Sequence, residues 1–300
     1  MKTMDMEIQT VKLSNGETMA YRERPGSGKT VLLIHGNMTS SKHWDVLMEA
    51  LDEQYHLYAV DLRGFGGSSY HTRIKGIKDF SDDLKSFVDI MGITDCSLIG
   101  WSTGGAVGMQ FAAEHPGFCQ KLILIASAST RGYPFYGTKE SGEPDLANRL
   151  KAIEEVERDT GKTIAVQLAY DQNNRDFLKA MWNMLIYTHN KPCEEHFEAY
   201  VDDMRTQRNL ADVYQALNTF NISEHHNGLV EGNGKAKEIT IPVLVLRGDR
   251  DYVVHSQMVK EILDDLGSNA QFKELKNCGH SPLIDDLGQL LQEVSEFLAN

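Results

Sequence analysis

The sequence predicts an α/β protein built on a mainly parallel sheet with helices on both faces. Three observations carry that expectation. Largely apolar runs at Val31–Ile34, His56–Val60, Cys96–Ile99, Lys121–Ala126 and Ile241–Leu246 read as strands buried on both sides. Segments of helical periodicity separate them, as in Phe80, Leu84, Phe87, Val88 and Met91, and such alternation implies parallel pairing. The residues with the most chemistry stand where these runs end, and ligands of open α/β sheets sit beyond the carboxyl ends of the strands.

The chain opens with two extended segments, Glu7–Leu13 and Thr18–Glu23, around the turn Ser14-Asn15-Gly16, which predicts an antiparallel hairpin at the edge of the sheet. Gly26-Ser27-Gly28-Lys29-Thr30 imitates the end of a phosphate-binding loop. Glu23 stands where the first glycine belongs, and the segment leads into a strand instead of a helix, so nucleotide binding is not expected. The run Val31–Ile34 ends in His35-Gly36-Asn37. A glycine there lets the chain turn sharply and aim the Asn37 amide back at the sheet, as one donor of an oxyanion hole. His35, ending a buried strand, reads as a turn-holding residue.

Gly100-Trp101-Ser102-Thr103-Gly104 is the most specific local pattern. It follows the strand Cys96–Ile99 and opens the small-residue segment Gly105–Ala113, so strand, corner and helix follow one another. A serine at such a corner sits in a strained conformation with its hydroxyl clear of the sheet edge. The flanking glycines let strand and helix close on each other. Thr103, at the helix start, supplies the second amide for negative charge beside Ser102.

Two further turns complete the set. Ile241–Leu246 leads into Arg247-Gly248-Asp249-Arg250-Asp251, where either carboxylate can orient a histidine and stabilise its cation. After the strand Gln271–Leu275 comes Asn277-Cys278-Gly279-His280-Ser281-Pro282, and Pro282 keeps His280 on a short, fixed loop. Nucleophile, acid and base therefore run in the order Ser, Asp, His.

With His35-Gly36, Asp61-Leu62-Arg63-Gly64-Phe65-Gly66-Gly67-Ser68, the Ser102 corner, the Asp251 turn and Cys278-Gly279-His280, the chain resembles the α/β-hydrolase fold family from about residue 31 to its C-terminus. The resemblance implies Ser102 as nucleophile, Asp251 as acid and His280 as base. It selects Asp251 over Asp249 because the acid in relatives stands three places after the strand-ending glycine. It also implies that haloalkane dehalogenase and epoxide hydrolase chemistry is absent, since those enzymes carry aspartate where this chain has Ser102. Asp61 and Arg63 read as supports of the loop that follows their strand.

Between about Ser129 and Glu238 the alternation stops. Leu146–Arg158, Lys162–Tyr170, Arg175–Tyr187 and Glu194–Phe220 read as helices, so residues 129–238 are expected to form a helical cap on a core of 1–128 and 239–300. Trp101, Tyr133, Phe135 and Trp182 are the candidate substrate contacts. Each also suits a core position, since an aromatic residue at helical spacing is more often core. Glu154-Glu155 and Asp202-Asp203 read as solvated helix faces, and His225-His226 lack the partners of a metal site.

A formal charge of −13 argues against nucleic acid and anionic membrane as partners. No apolar run is long enough to cross a bilayer, and Met1–Glu7 holds early acidic residues instead of a signal core. Cys96, Cys119, Cys193 and Cys278 have no metal or redox spacing, which suits a cytoplasmic protein. The expected activity is cleavage of a small-molecule carboxylic ester, without metal or cofactor. A lactonase, thioesterase, carbon–carbon bond hydrolase or acyltransferase would use the same triad, and a receptor of this fold would keep the pocket without turnover.

Overall fold

In the computed structural model, which describes residues 6–300, the chain opens with the hairpin β1 (Ile8–Lys12) and β2 (Thr18–Arg24). The reading of the N-terminus lies, for Met1–Asp5, outside the described residues. Then follow β3 (Thr30–Ile34), α1 (Asp45–Ala50), β4 (His56–Val60), α2 (Ile77–Ile90), β5 (Cys96–Trp101), α3 (Thr103–Glu114) and β6 (Cys119–Ile125). An insertion contains β7 (Tyr136–Thr138), β8 (Pro144–Arg149), α4 (Ile153–Glu157), α5 (Ala165–Asp171), α6 (Arg175–Leu185), α7 (Glu194–Met204) and α8 (Leu210–Thr219). The chain closes with β9 (Val243–Gly248), α9 (Ser256–Leu266), β10 (Ala270–Leu275), α10 (Pro282–Asp285) and α11 (Leu287–Ala299).

The main sheet has the order β1-β2-β4-β3-β5-β6-β9-β10, antiparallel only where β2 meets β1 and β4. Strand order reverses beside β3: β4 lies on one side and β5 on the other. Such a reversal opens a crevice past the strand ends, because the two connections leave toward opposite faces.

Adjacent side chains along each strand enter different cores, as the two-residue period of a strand requires. Leu32, Ile34, Leu98, Leu122, Leu124, Val243 and Val245 pack with residues of α2, α3 and α9. Val31, Leu33, Ile99, Ile123, Ile125, Leu244 and Leu246 pack with α1, α11 and helices of the insertion. Each such side chain contributes roughly 1.5–3 kcal/mol on burial. This two-sided burial is why the strands read as apolar runs.

The insertion differs from the expected all-helical segment. Pro144–Arg149 is a strand paired with Tyr136–Thr138, and only Ile153–Glu157 of the Leu146–Arg158 stretch is helical. Tertiary hydrogen bonds decide this. The Arg149 guanidinium donates 2.9 Å to Asn218 Oδ1 and 2.8 Å to the Asn218 carbonyl, which an extended backbone permits. The expected helix Glu194–Phe220 is two helices, broken across 205–209. Met204 and Leu210, both buried, are six residues apart, a spacing that does not share one helical face.

Candidate active site

The register of the sheet assembles the site. Ile34 of β3 lies opposite Gly100 of β5, so two residues further on Gly36 meets Ser102. A Cβ on Gly36 would lie 3.2 Å from Ser102 Cβ and 3.3 Å from the Trp101 carbonyl, a crowding that favours glycine in this turn. Ser102 has φ 56° and ψ −115°, outside both helix and strand regions. Holding a non-glycine residue there costs on the order of 1–3 kcal/mol. Three hydrogen bonds hold it. Ser102 N donates to the Ile125 carbonyl (2.9 Å), and the Ser102 carbonyl accepts from Gly105 N (3.0 Å) and Ala128 N (3.3 Å).

Helix α3 begins at Thr103, so the Thr103 amide belongs to the first turn, whose N–H groups have no intrahelical acceptor. The helix can start this close to the sheet because Gly104 has no side chain: a Cβ there would collide with the Ile34 carbonyl oxygen. Asn37, on the neighbouring turn, is partly exposed.

His280 and Asp251 come together from the turns after β10 and β9, which pair in parallel up to Leu275 opposite Gly248. His280 Nδ1 lies 3.1 Å and 3.0 Å from the two carboxylate oxygens of Asp251, and both residues are buried. Asp251 Oδ1 also accepts from the amides of Val253 (2.8 Å) and Val254 (2.9 Å). Burial alone would raise this carboxyl. The charge and hydrogen bond of His280 and the two amides outweigh it and hold the group below the ordinary carboxylate value. Asp249 instead accepts from Cys278 N at 3.3 Å, on the neighbouring turn that carries His280.

The candidate aromatic contacts fall into three environments. Trp101 is buried, donates from Nε1 to the His280 carbonyl (2.8 Å), and stands 5.9 Å from the His280 ring and 6.5 Å from Trp182. Trp182 is likewise buried, in the core that includes Tyr187 and Tyr200. Phe135 packs with Leu150 and Val156 and stacks on Tyr214 inside the insertion. Tyr133 is half-buried beside the Asp251 turn and donates to the Val253 carbonyl (3.1 Å). Burial, and secondarily the Asp251 charge, push its phenol up to about 12.

The supporting residues behave as loop fasteners. His35 Nε2 accepts from Leu62 N (2.9 Å), so its Nδ1 carries the hydrogen and donates to the Gly36 carbonyl (2.7 Å). Asp61 accepts from Ser41 N and Gly67 N, both 2.8 Å, while Arg63 pairs with Asp83. Asp203 corrects the solvated-face reading of Asp202-Asp203. Asp202 is exposed and paired with Arg175, but Asp203 turns inward to accept from Ser40 N (2.8 Å) and the Ser40 hydroxyl. The sequence offered one missed signal here, the polar run Thr206-Gln207-Arg208-Asn209 that interrupts helical spacing.

Among the described residues, one group has metal-ligand proximity: Asp82, Glu114 and His115, at the end of α3 remote from Ser102. Lys78 and Lys235 already pair with Glu114 there. The paired His225-His226 are exposed. A surface groove walled by Tyr70, Arg73, Leu168 and Asp212 contains none of Ser102, Asp251 or His280.

The profile described as alpha/beta hydrolase fold matches residues 29–287. Lipase 3 of Moraxella sp. is 25% identical over 98% of this chain and 85% of its own length. Pimeloyl-[acyl-carrier protein] methyl ester esterase of Nitrosospira multiformis is 25% identical over 94% of this chain and 99% of its own. Among solved structures, an esterase from Exiguobacterium antarcticum superposes with a TM-score of 0.74 at 17% identity, covering 97% of this chain and 99% of that one.

Proposed function

The chain belongs to the alpha/beta hydrolase fold family, and on that premise we propose that it is a serine hydrolase that cleaves small or medium carboxylic esters through an acyl-enzyme. The observation that carries the proposal is the His280–Asp251 pair, set on the turns beyond the same sheet edge as the strained Ser102 corner. The lipase and esterase relatives favour an ester as the bond cleaved.

In this mechanism Asp251 accepts a hydrogen bond from the Nδ1–H of His280, leaving Nε2 to take the Ser102 proton as Oγ attacks the ester carbonyl. The same carboxylate stabilises the imidazolium that forms. The amides of Asn37 and Thr103 hold the developing oxyanion, and each such donor is worth roughly 3–4 kcal/mol in the transition state. His280 then returns the proton to the leaving alcohol. Water, activated by the same nitrogen, releases the acid from Ser102. None of these steps draws on a metal or cofactor.

Residues 129–238 act as a cap that shapes the pocket in this reading. Tyr133 lines the pocket beside the acid turn, Trp101 and Trp182 form its aromatic wall behind His280, and Phe135 stiffens the cap. Among the described residues no helix is long and apolar enough to cross a membrane. A cytoplasmic setting, suggested by the cysteine usage, is part of the same proposal.

Release of p-nitrophenol from acyl esters of increasing chain length tests the assignment. Wild-type protein should turn over the shorter esters, and Ser102→Ala should lower kcat by about 10⁴-fold or more while remaining folded. Comparable turnover by both proteins would remove Ser102 as nucleophile.

A further inference from the structure

The break between α7 and α8 is where the insertion grips the turn that carries Asn37. Asp203 accepts from the Ser40 amide (2.8 Å) and hydroxyl. Gln207, 3% exposed, donates from Nε2 to Asn37 Oδ1 (2.8 Å) and to Asn209 Oδ1 (3.0 Å). Its own Oε1 accepts from the Tyr170 hydroxyl at 3.3 Å. Asn209 in turn donates to the Arg63 carbonyl (2.7 Å), and Tyr200 donates to Asp45 Oδ1 (2.6 Å). The turn being held is short and unusual: a Cβ on Gly36 would crowd Ser102, and Met38 sits at φ 60°. Nothing in the regular sheet fixes Asn37, because β3 ends at Ile34.

We infer that Gln207 is a positioning residue for the oxyanion hole: through its hydrogen bond to the Asn37 side chain it sets the direction of the Asn37 amide, coupling the insertion to the rate of the chemical step. This inference rests on the serine hydrolase reading and adds a residue that touches neither substrate nor Ser102. The physical argument is one of angular precision. An oxyanion donor works only if aimed at the place where charge develops, and a displacement near 1 Å can cost about 10²-fold. A buried glutamine with both ends of its amide engaged is a stiff spacer between two elements. Asp203 shares the load at Ser40, three residues along the same turn.

The test compares Gln207→Met, similar in length but without the amide, with wild type, alone and in an Asn37→Ala background. The readout is the rate at which a fluorophosphonate probe labels Ser102, together with kcat and KM for a p-nitrophenyl ester. Phosphonylation uses the same oxyanion donors, so it reports on the hole without a known substrate. Gln207→Met should slow labelling and lower kcat by about tenfold with KM little changed. In the Asn37→Ala background it should have almost no further effect, because residues acting through one contact are not additive. Equal losses in both backgrounds, or a loss in KM alone, would overturn the inference while leaving the triad intact. Gln207→Met labelled at the wild-type rate would do the same. Failure of wild type to be labelled at Ser102 would instead remove the serine hydrolase reading, and this inference with it.

Discussion

Asp251 and Asp249 stand two residues apart in one turn, yet their neighbours give them different tasks. Asp251 faces His280 with both oxygens and takes two amides on one of them, whereas Asp249 accepts a single long bond from Cys278 N. An asparagine at 251 would present an N–H to one of those donors and favour the wrong tautomer of His280. Asp251→Asn should therefore lower kcat by about 10³- to 10⁴-fold. Asp249→Asn keeps a carbonyl for Cys278 N and should stay within about tenfold of wild type. Steady-state rates of the two variants with one ester settle the order, and a larger loss at 249 would transfer the acid's role.

At the scale of elements, the site depends on how closely α3 approaches β3 and β5. Gly100 and Gly104 are the contact points: a Cβ on Gly104 would run into the Ile34 carbonyl oxygen, and one on Gly100 into the backbone of Gly104 and Gly105. These are backbone atoms of the buried strand β3 and of the buried first turn of α3, and they cannot retreat as a flexible side chain can. Gly104→Ala should destabilise the protein by about 3 kcal/mol or more, seen as a lower urea midpoint. Gly76→Ala is the matched control. Gly76 starts α2 with open space around it, and its substitution should cost no more than about 1 kcal/mol. Equal midpoints for the two variants would show that α3 can withdraw from the sheet.

For the whole molecule, the buried imidazole of His35 ties stability to pH. Burial, the largest influence, lowers its pKa from 6.5 to about 4. A group whose folded pKa is lowered contributes stability above its unfolded pKa and loses it as pH falls toward the folded one. The stability supplied here is present above about pH 6.5 and lost progressively down to about pH 4, on the order of 3 kcal/mol in all. Asp251 and Asp203, also held below the ordinary carboxylate value, extend the loss to more acidic conditions. Urea unfolding at pH 7 and pH 5 should show a lower midpoint at pH 5 with an unchanged slope. Equal midpoints would mean that the ring is protonated in the folded state.

What the amino-acid order determined by itself is what local physics can express. Strands buried on both faces must be apolar throughout, so Val31–Ile34, Cys96–Ile99 and Val243–Leu246 were legible. A turn crowded against its neighbour favours glycine and a strand-to-helix corner has its own local pattern, so Gly36 and the Ser102 corner were legible too. The tertiary structure alone decided whatever depended on a partner distant in the chain. Pro144–Arg149 is extended because Arg149 reaches Asn218, and Asp203 faces inward because Ser40 lies there to meet it. Gln207 gained its place beside Asn37, 170 residues away, only when the insertion folded back over the sheet. Periodicity reports the neighbours of a residue along one element, and the contact between Gln207 and Asn37 lies between two.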